Sequence, residues 1–65
     1  MKLTNKDLNV GDLVKISDTY GNRKVAGQLG IVEGFGYYGR CKLLLVMGGT
    51  EQVFPLYLKL IEGEQ

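Results

Sequence analysis

The chain has 65 residues, which is enough for one domain spanning residues 1–65. A domain of this size buries only about 60% of the surface of its unfolded chain, so it needs further stabilisation. Cys41 is the only cysteine and there is no histidine, which excludes an internal disulfide and disfavours a zinc site. Eight Lys and Arg residues against seven Asp and Glu residues give a net charge of +1, which argues against a dedicated nucleic-acid-binding domain.

The chain carries no sequence signal for a membrane or for secretion. No apolar run approaches the roughly 20 residues that a membrane span requires. Residues 1–7 are mostly polar and lack the apolar segment of a signal peptide. We therefore expect a soluble cytoplasmic protein with no membrane partner.

The first half of the chain predicts one helical turn followed by two strands. Residues 4–7 have the spacing of a capping box, so a short helical turn is expected there. Residues 13–17 form a predicted strand, in which residues 14–17 alternate apolar and polar side chains, as a half-buried strand does. After a polar loop at 18–26, a second strand runs from about residue 28 to 35. Its glycines, Gly30 and Gly34, and the preceding Gly27 are typical of bulges or tight bends.

The second half predicts a hairpin and a short closing strand. Residues 41–47 and 51–54 form the predicted hairpin strands, and residues 48–50 form the turn between them. Pro55 removes a backbone donor and ends the fourth strand, so one 3₁₀ turn is expected around Leu56 and Tyr57. Residues 58–61 form the last strand. Short strands separated by glycine-rich turns predict an all-β fold, a small five-stranded barrel.

The order of these elements resembles the SH3-like barrel over nearly the whole chain. The opening Gly11-Asp12-Leu13-Val14-Lys15-Ile16, with the segment from Gly27 to Val32, resembles the KOW motif of ribosomal and transcription-elongation proteins. A second resemblance is to the Sm-like barrel, which assembles into rings through edge strands. The chain also resembles small barrel proteins of bacteriophages. Peptide-binding SH3 domains carry a tryptophan on the ligand face, and this chain has none, so binding of proline-rich ligands is not implied.

One segment matches a nucleotide-binding sequence pattern but lacks the secondary structure that the pattern requires. The residues from Gly34 to Gly39 fit G-x-G-x-x-G, and they follow a predicted strand. That motif requires a helix next, whose N-terminus holds a pyrophosphate, and then a parallel strand. The remaining chain cannot build this unit, so we interpret these glycines as turn residues and expect no cofactor.

The residues that could perform catalysis do not form a predicted constellation. Cys41 lies between Arg40 and Lys42, whose charges favour a thiolate, but no base completes a dyad. Without a histidine, a general base would have to be one of the isolated carboxylates, which are Asp12, Asp18, Glu33 and Glu51. We therefore expect that the protein is not an enzyme.

Two loops expected at one end of the barrel carry aromatic and basic residues. This candidate ligand surface comprises Tyr20, Arg23, Lys24, Tyr37, Tyr38 and Arg40. Aromatic rings among cations suit a single-stranded nucleic acid or an acidic peptide. The alternative is that the tyrosines pack at the bases of the loops and that the cations are solvated.

The third predicted strand carries an uninterrupted apolar run. This candidate oligomer surface comprises Leu43, Leu44, Leu45, Val46 and Met47. Because alternate residues of a barrel strand face outwards, the run leaves two or three large side chains outside. We therefore expect a homo-oligomer, with a dimer favoured over a ring. The alternative is that the N-terminal turn covers this face through Leu3 and Leu8.

Together these observations predict a non-catalytic protein-interaction or assembly module that acts within an oligomer or a larger complex. The alternative is a nucleic-acid-binding module of the KOW or Sm-like type. The residues it would use are Lys15, Arg23, Lys24, Tyr37, Tyr38 and Arg40. The nearly neutral charge balance makes nucleic acid the less favoured partner.

Overall fold

Five antiparallel strands form one sheet in the computed structural model, which describes residues 7–61. The strands are β1 (Leu13–Ile16), β2 (Leu29–Phe35), β3 (Cys41–Leu45), β4 (Thr50–Val53) and β5 (Leu58–Leu60). Two 3₁₀ turns, Tyr37–Gly39 and Pro55–Tyr57, precede β3 and β5. The predicted all-β fold with a 3₁₀ turn before the last strand is confirmed. The predicted helical turn at residues 4–7 lies outside the described residues, apart from Asp7.

The strand order in the sheet is β4-β3-β2-β1-β5, so β4 and β5 form its two edges. Backbone pairing joins each strand only to its neighbours in this order, and within residues 7–61 the two edge strands do not pair. The expected barrel is therefore not closed by strand pairing. Both edge strands are short, and Pro55, two residues after the end of β4, lacks the N–H group that would extend a ladder. The SH3-like assignment stays a prediction.

Strand β2 pairs with both β1 and β3 and contains an irregularity. The register with β3 shifts between Val32 and Gly34, which leaves Glu33 as the extra residue of a bulge. Such a bulge bends a strand and increases its twist. Near the start of β2, Gly30 is buried, and the Cβ of a side chain there would lie 3.3 Å from the carbonyl oxygen of Leu44. The predicted irregularity at Gly34 is confirmed, and Gly30 permits the close approach of β3.

The hydrophobic core lies against one face of the sheet. Every strand contributes to it through alternate residues, so β3 runs buried, exposed, buried, exposed, buried. The loop between β1 and β2 adds Val25, and the segment before β1 adds Leu8. The buried side chains are Leu8, Val14, Ile16, Val25, Val32, Cys41, Leu43, Leu45, Val53 and Leu58.

The long loop between β1 and β2 is held by local hydrogen bonds. The N–H groups of Val25 and Ala26 both donate to the carbonyl oxygen of Asn22, and the Asn22 side chain accepts from the Lys24 N–H. At the loop end, Gly27 N–H donates to the carbonyl of Ile16 with Gly27 at φ +80°. These bonds give the loop a defined path across the open side of the sheet.

Candidate functional site

The face of the sheet opposite the core carries a contiguous apolar surface. Strand register places Ile31 between Leu13 on one side and Leu44 on the other. In the next row Val46 donates its N–H to the carbonyl of Leu29, which sets these two residues side by side. Ile31, Leu44 and Val46 are 38%, 45% and 59% exposed. We call Leu13, Leu29, Ile31, Leu44 and Val46 the outer apolar face.

The predicted apolar run of β3 divides between this face and the core. Leu43 and Leu45 are buried core residues, so they do not belong to an exposed surface. Leu44 and Val46 lie on the outer apolar face, and Met47 is exposed at its end. The alternation expected for a barrel strand produces this division.

Sequence reasoning missed the contributions of β1 and β2 to this surface. Leu13 and Leu29 occupy the non-core phase of their strands, as does Ile31. The signal was present, because an apolar residue at every other position outside the core phase marks an apolar outer face. Leu8, which was expected to cover this face in the alternative interpretation, is buried in the core instead. Leu3 lies outside the described residues.

Polar and charged side chains border the outer apolar face. Lys15 pairs with Leu29 on one side and with Lys59 on the other. On β3 and β4, Lys42 pairs with Gln52, and Thr50 pairs with Leu44. The surface therefore has an apolar centre and a polar rim, which is the arrangement of protein interfaces.

An open cleft of about 510 Å³ adjoins this rim. Its walls come from the 3₁₀ turn after β2 and from the exposed side chains of β3 and β4. The side chains that line it include Tyr37, Tyr38, Arg40, Lys42, Glu51 and Gln52. We call this the tyrosine cleft.

The two tyrosines of the cleft project from a strained turn. Tyr37 and Tyr38 are 80% and 87% exposed, and their ring centroids lie 6.4 Å apart at an interplanar angle of 48°. Tyr38 has φ +59° and ψ +28°, the left-handed region that non-glycine residues rarely adopt. Gly39, at φ +78°, completes the reversal into β3. Of the G-x-G-x-x-G segment, Gly36 and Gly39 lie in the connection between β2 and β3, as their interpretation as turn residues predicted, whereas Gly34 lies within β2 next to the bulge. The strand β3 begins two residues after Gly39.

Other contacts fix the opposite wall of the cleft. The Arg40 guanidinium carbon lies 5.0 Å from the centroid of the Phe54 ring, which is a cation–π contact. The Gln52 side chain lies so close to Gly36 that a side chain at Gly36 would meet it at 2.6 Å. The Glu51 carboxylate accepts a hydrogen bond of 3.4 Å from the Asn22 side chain.

The remaining members of the predicted ligand surface lie elsewhere. Tyr20 is half-buried against the core, and burial, followed by the nearby Glu51 carboxylate, raises the pKa of its phenol. Arg23 and Lys24 are exposed on the β1–β2 loop and do not line the tyrosine cleft. Lys15, proposed for the nucleic-acid alternative, lines a separate groove with Lys59. The structure thus brings together Tyr37, Tyr38 and Arg40.

The Cys, Asp and Glu side chains form no metal-binding cluster among residues 7–61. No group of three or more Cys, Asp or Glu side chains there is arranged to hold a metal ion. Cys41 is fully buried, and burial raises the pKa of its thiol, which opposes formation of the thiolate. In the same stretch, no helix has the length and apolar character needed to cross a membrane.

Comparison with known proteins gives no relative for this chain. No protein-family model matches it, and neither the curated proteins nor the solved structures compared with it give a match. The resemblances to SH3-like, KOW and Sm-like proteins therefore stay predictions.

Proposed function

We propose that this protein is a non-catalytic assembly module that forms a homodimer through its outer apolar face. The observation that carries the proposal is the row Leu13, Ile31 and Leu44, which strand register places side by side across three strands. Leu29 and Val46 form a second row beside it. Large apolar side chains gathered on one exposed face are characteristic of interaction surfaces.

The side chains of the outer apolar face remain accessible to solvent. Residues 7–61 form one sheet whose opposite face takes up the core, and the outer side chains stay 38% exposed or more at Leu29, Ile31, Leu44 and Val46. Each apolar side chain that moves from water into an interface contributes about 25 cal/mol per Å² of area buried.

A second copy of the same chain is the occupant that the surface fits best. Two identical apolar faces are complementary about a two-fold axis, and face-to-face packing of sheets is a common arrangement. The rim residues Lys15, Lys59 and Lys42 stay at the edge of such an interface, where charges keep their water. We therefore favour a closed dimer over a ring built through the edges of β4 and β5.

Sedimentation velocity over a concentration series from about 1 to 100 µM tests this proposal. The unmodified protein should sediment as a dimer at the upper end of the series. Leu44→Lys and Val46→Lys should each weaken association at least tenfold, because one lysine per copy would be buried in the interface. Circular dichroism should show that both variants keep the fold, since both positions are exposed.

Leu56→Lys is the matched control. Leu56 is about as exposed as Leu44, but it lies on the 3₁₀ turn before β5 and outside the outer apolar face. It should leave association unchanged. A monomer at 100 µM would contradict the proposal, as would an oligomer that persists in Leu44→Lys, which would indicate pairing through strand edges.

A further inference from the structure

The tyrosine cleft has features that the assembly function does not use. Tyr38 adopts a left-handed backbone conformation while its ring is 87% exposed. The backbone conformation is unfavourable for a residue with a side chain, and glycine at this position would avoid the strain. The exposed ring gains no burial energy that would offset it. Conformational strain of this kind concentrates at functional positions. The exposure of Tyr37 beside it gives two neighbouring aromatic rings that are accessible to a ligand.

The charges of the cleft favour an anion. Arg40 is held over the Phe54 ring, which orients its guanidinium, and Lys42 lies on the exposed face of β3. Among residues 7–61 the cleft is lined by one carboxylate, Glu51, which accepts a hydrogen bond from Asn22. Two cations against one carboxylate disfavour a cationic ligand, so a methylated lysine or another ammonium group does not fit this site.

The volume and shape of the cleft fit a short segment of a polymeric ligand. A space of about 510 Å³ lies within the range of small-molecule sites. The cleft is open, so a polymer can enter and leave at its ends. A ligand with a planar ring and an adjacent phosphate can contact both sides of the cleft: the ring stacks on a tyrosine, and the phosphate binds Arg40 or Lys42.

We propose that the tyrosine cleft binds single-stranded nucleic acid, with bases stacked on Tyr37 and Tyr38 and the neighbouring phosphates bound by Arg40 and Lys42. An acidic peptide would use the cations but would leave both exposed rings without a partner. A duplex would not offer an unstacked base. The site goes beyond the proposed dimerisation and does not depend on it, because the cleft belongs to one copy.

The two cations of the cleft determine how strongly salt should weaken binding. With Arg40 and Lys42 as the contacts, about two phosphates are neutralised, and a plot of the logarithm of the affinity against the logarithm of the salt concentration should have a slope of about −1.4. Between about 50 and 200 mM salt the affinity should therefore decrease about sevenfold. This weak dependence distinguishes local recognition from binding to a broad basic surface.

Fluorescence anisotropy with labelled oligouridine and oligothymidine of about eight nucleotides tests the proposal. Tyr37→Ala and Tyr38→Gly should each weaken binding at least about fivefold, because each removes a stacking ring. Tyr37→Phe keeps the ring and should bind as the unmodified protein does. Tyr38→Gly also relieves the backbone strain at φ +59°, so loss of binding in this variant is not explained by unfolding.

Arg23→Ala is the control for Arg40→Ala. Arg23 is exposed but lies outside the cleft, so its removal should change the affinity less than twofold, whereas Arg40→Ala should weaken it at least about fivefold. Equal losses in both variants would overturn the proposal, because they would indicate general attraction of charges. No binding at about 50 mM salt, or displacement by polyglutamate as effective as by unlabelled oligouridine, would also overturn it.

Discussion

The phenol of Tyr20 donates a hydrogen bond of 3.4 Å to the carbonyl oxygen of Gln52, 32 residues away in the chain. Gln52 belongs to the edge strand β4, and the Tyr20 ring also packs edge-on against Tyr57, with centroids 5.3 Å apart, directly before the other edge strand. One side chain from the β1–β2 loop thus contacts both edge regions of the sheet. Tyr20 closes the structure at the place where β4 and β5 do not pair.

The first prediction follows from this bridging position. Tyr20→Ala should lower the free energy of unfolding by about 2 kcal/mol, because the ring is half-buried between the edges and the core. Tyr20→Phe should cost only about 0.5 kcal/mol, because a hydrogen bond of 3.4 Å is long and the ring is kept. Urea unfolding measures both changes.

Tyr37→Ala is the control for this prediction, since Tyr37 is the more exposed tyrosine and contacts neither edge in this way. It should change the stability by no more than about 0.5 kcal/mol. If Tyr20→Ala and Tyr37→Ala cost the same, Tyr20 does not bridge the sheet.

The strands of this protein could be predicted from sequence because their signals are local. Alternation of apolar and polar residues located β1, and the 3₁₀ turn at Pro55–Tyr57 followed from the proline. The predicted third strand extended to residue 47, whereas β3 ends at Leu45. The hairpin turn begins earlier because Gly48 and Gly49 adopt positive φ and the Leu45 N–H donates to the Gly49 carbonyl.

The long-range features could not be predicted, because they depend on how distant strands meet. Tyr20 was expected on a ligand surface, and its contact with Gln52 is set by the path of the β1–β2 loop across the sheet. The outer apolar face likewise required the register that aligns Leu13 with Ile31 and Ile31 with Leu44. A sequence pattern gives the alternation within one strand but not the neighbours of that strand.

The second prediction tests the division of the β3 apolar run. Leu43→Ala should lower the free energy of unfolding by about 2–5 kcal/mol, because Leu43 is fully buried and its truncation leaves a cavity. Leu44→Ala should cost less than about 1 kcal/mol, because its side chain faces outwards. Unfolding should be measured at low protein concentration, where association adds least to stability. Equal costs at the two positions would contradict the alternation of β3.

The third prediction concerns the end of the β1–β2 loop. Gly27→Ala should destabilise the protein by about 1–2 kcal/mol, because its φ of +80° is unfavourable for alanine. The new Cβ would also lie 2.7 Å from the Asp18 side chain. In an Asp18→Ala background the substitution should cost less, since only the backbone strain is left.

Gly21→Ala in the same loop provides the comparison. Gly21 does not have a positive φ, and no atom lies within 4 Å of a side chain built there. Its substitution should change stability by no more than about 0.5 kcal/mol. Thermal unfolding followed by circular dichroism gives all these differences, and a Gly27→Ala protein as stable as Gly21→Ala would refute the assigned conformation.

The last prediction uses the buried thiol of Cys41. Burial raises its pKa above the ordinary value, while in the unfolded chain the thiol titrates normally near about 8.5. Above that pH the unfolded state loses the proton first, so it binds fewer protons than the folded state. The free energy of unfolding should therefore fall as pH rises from about 7.5 to 9.5. Urea unfolding at several pH values measures this slope, which Cys41→Ala should reduce; an unchanged slope in that variant would show that the thiol is not the group responsible.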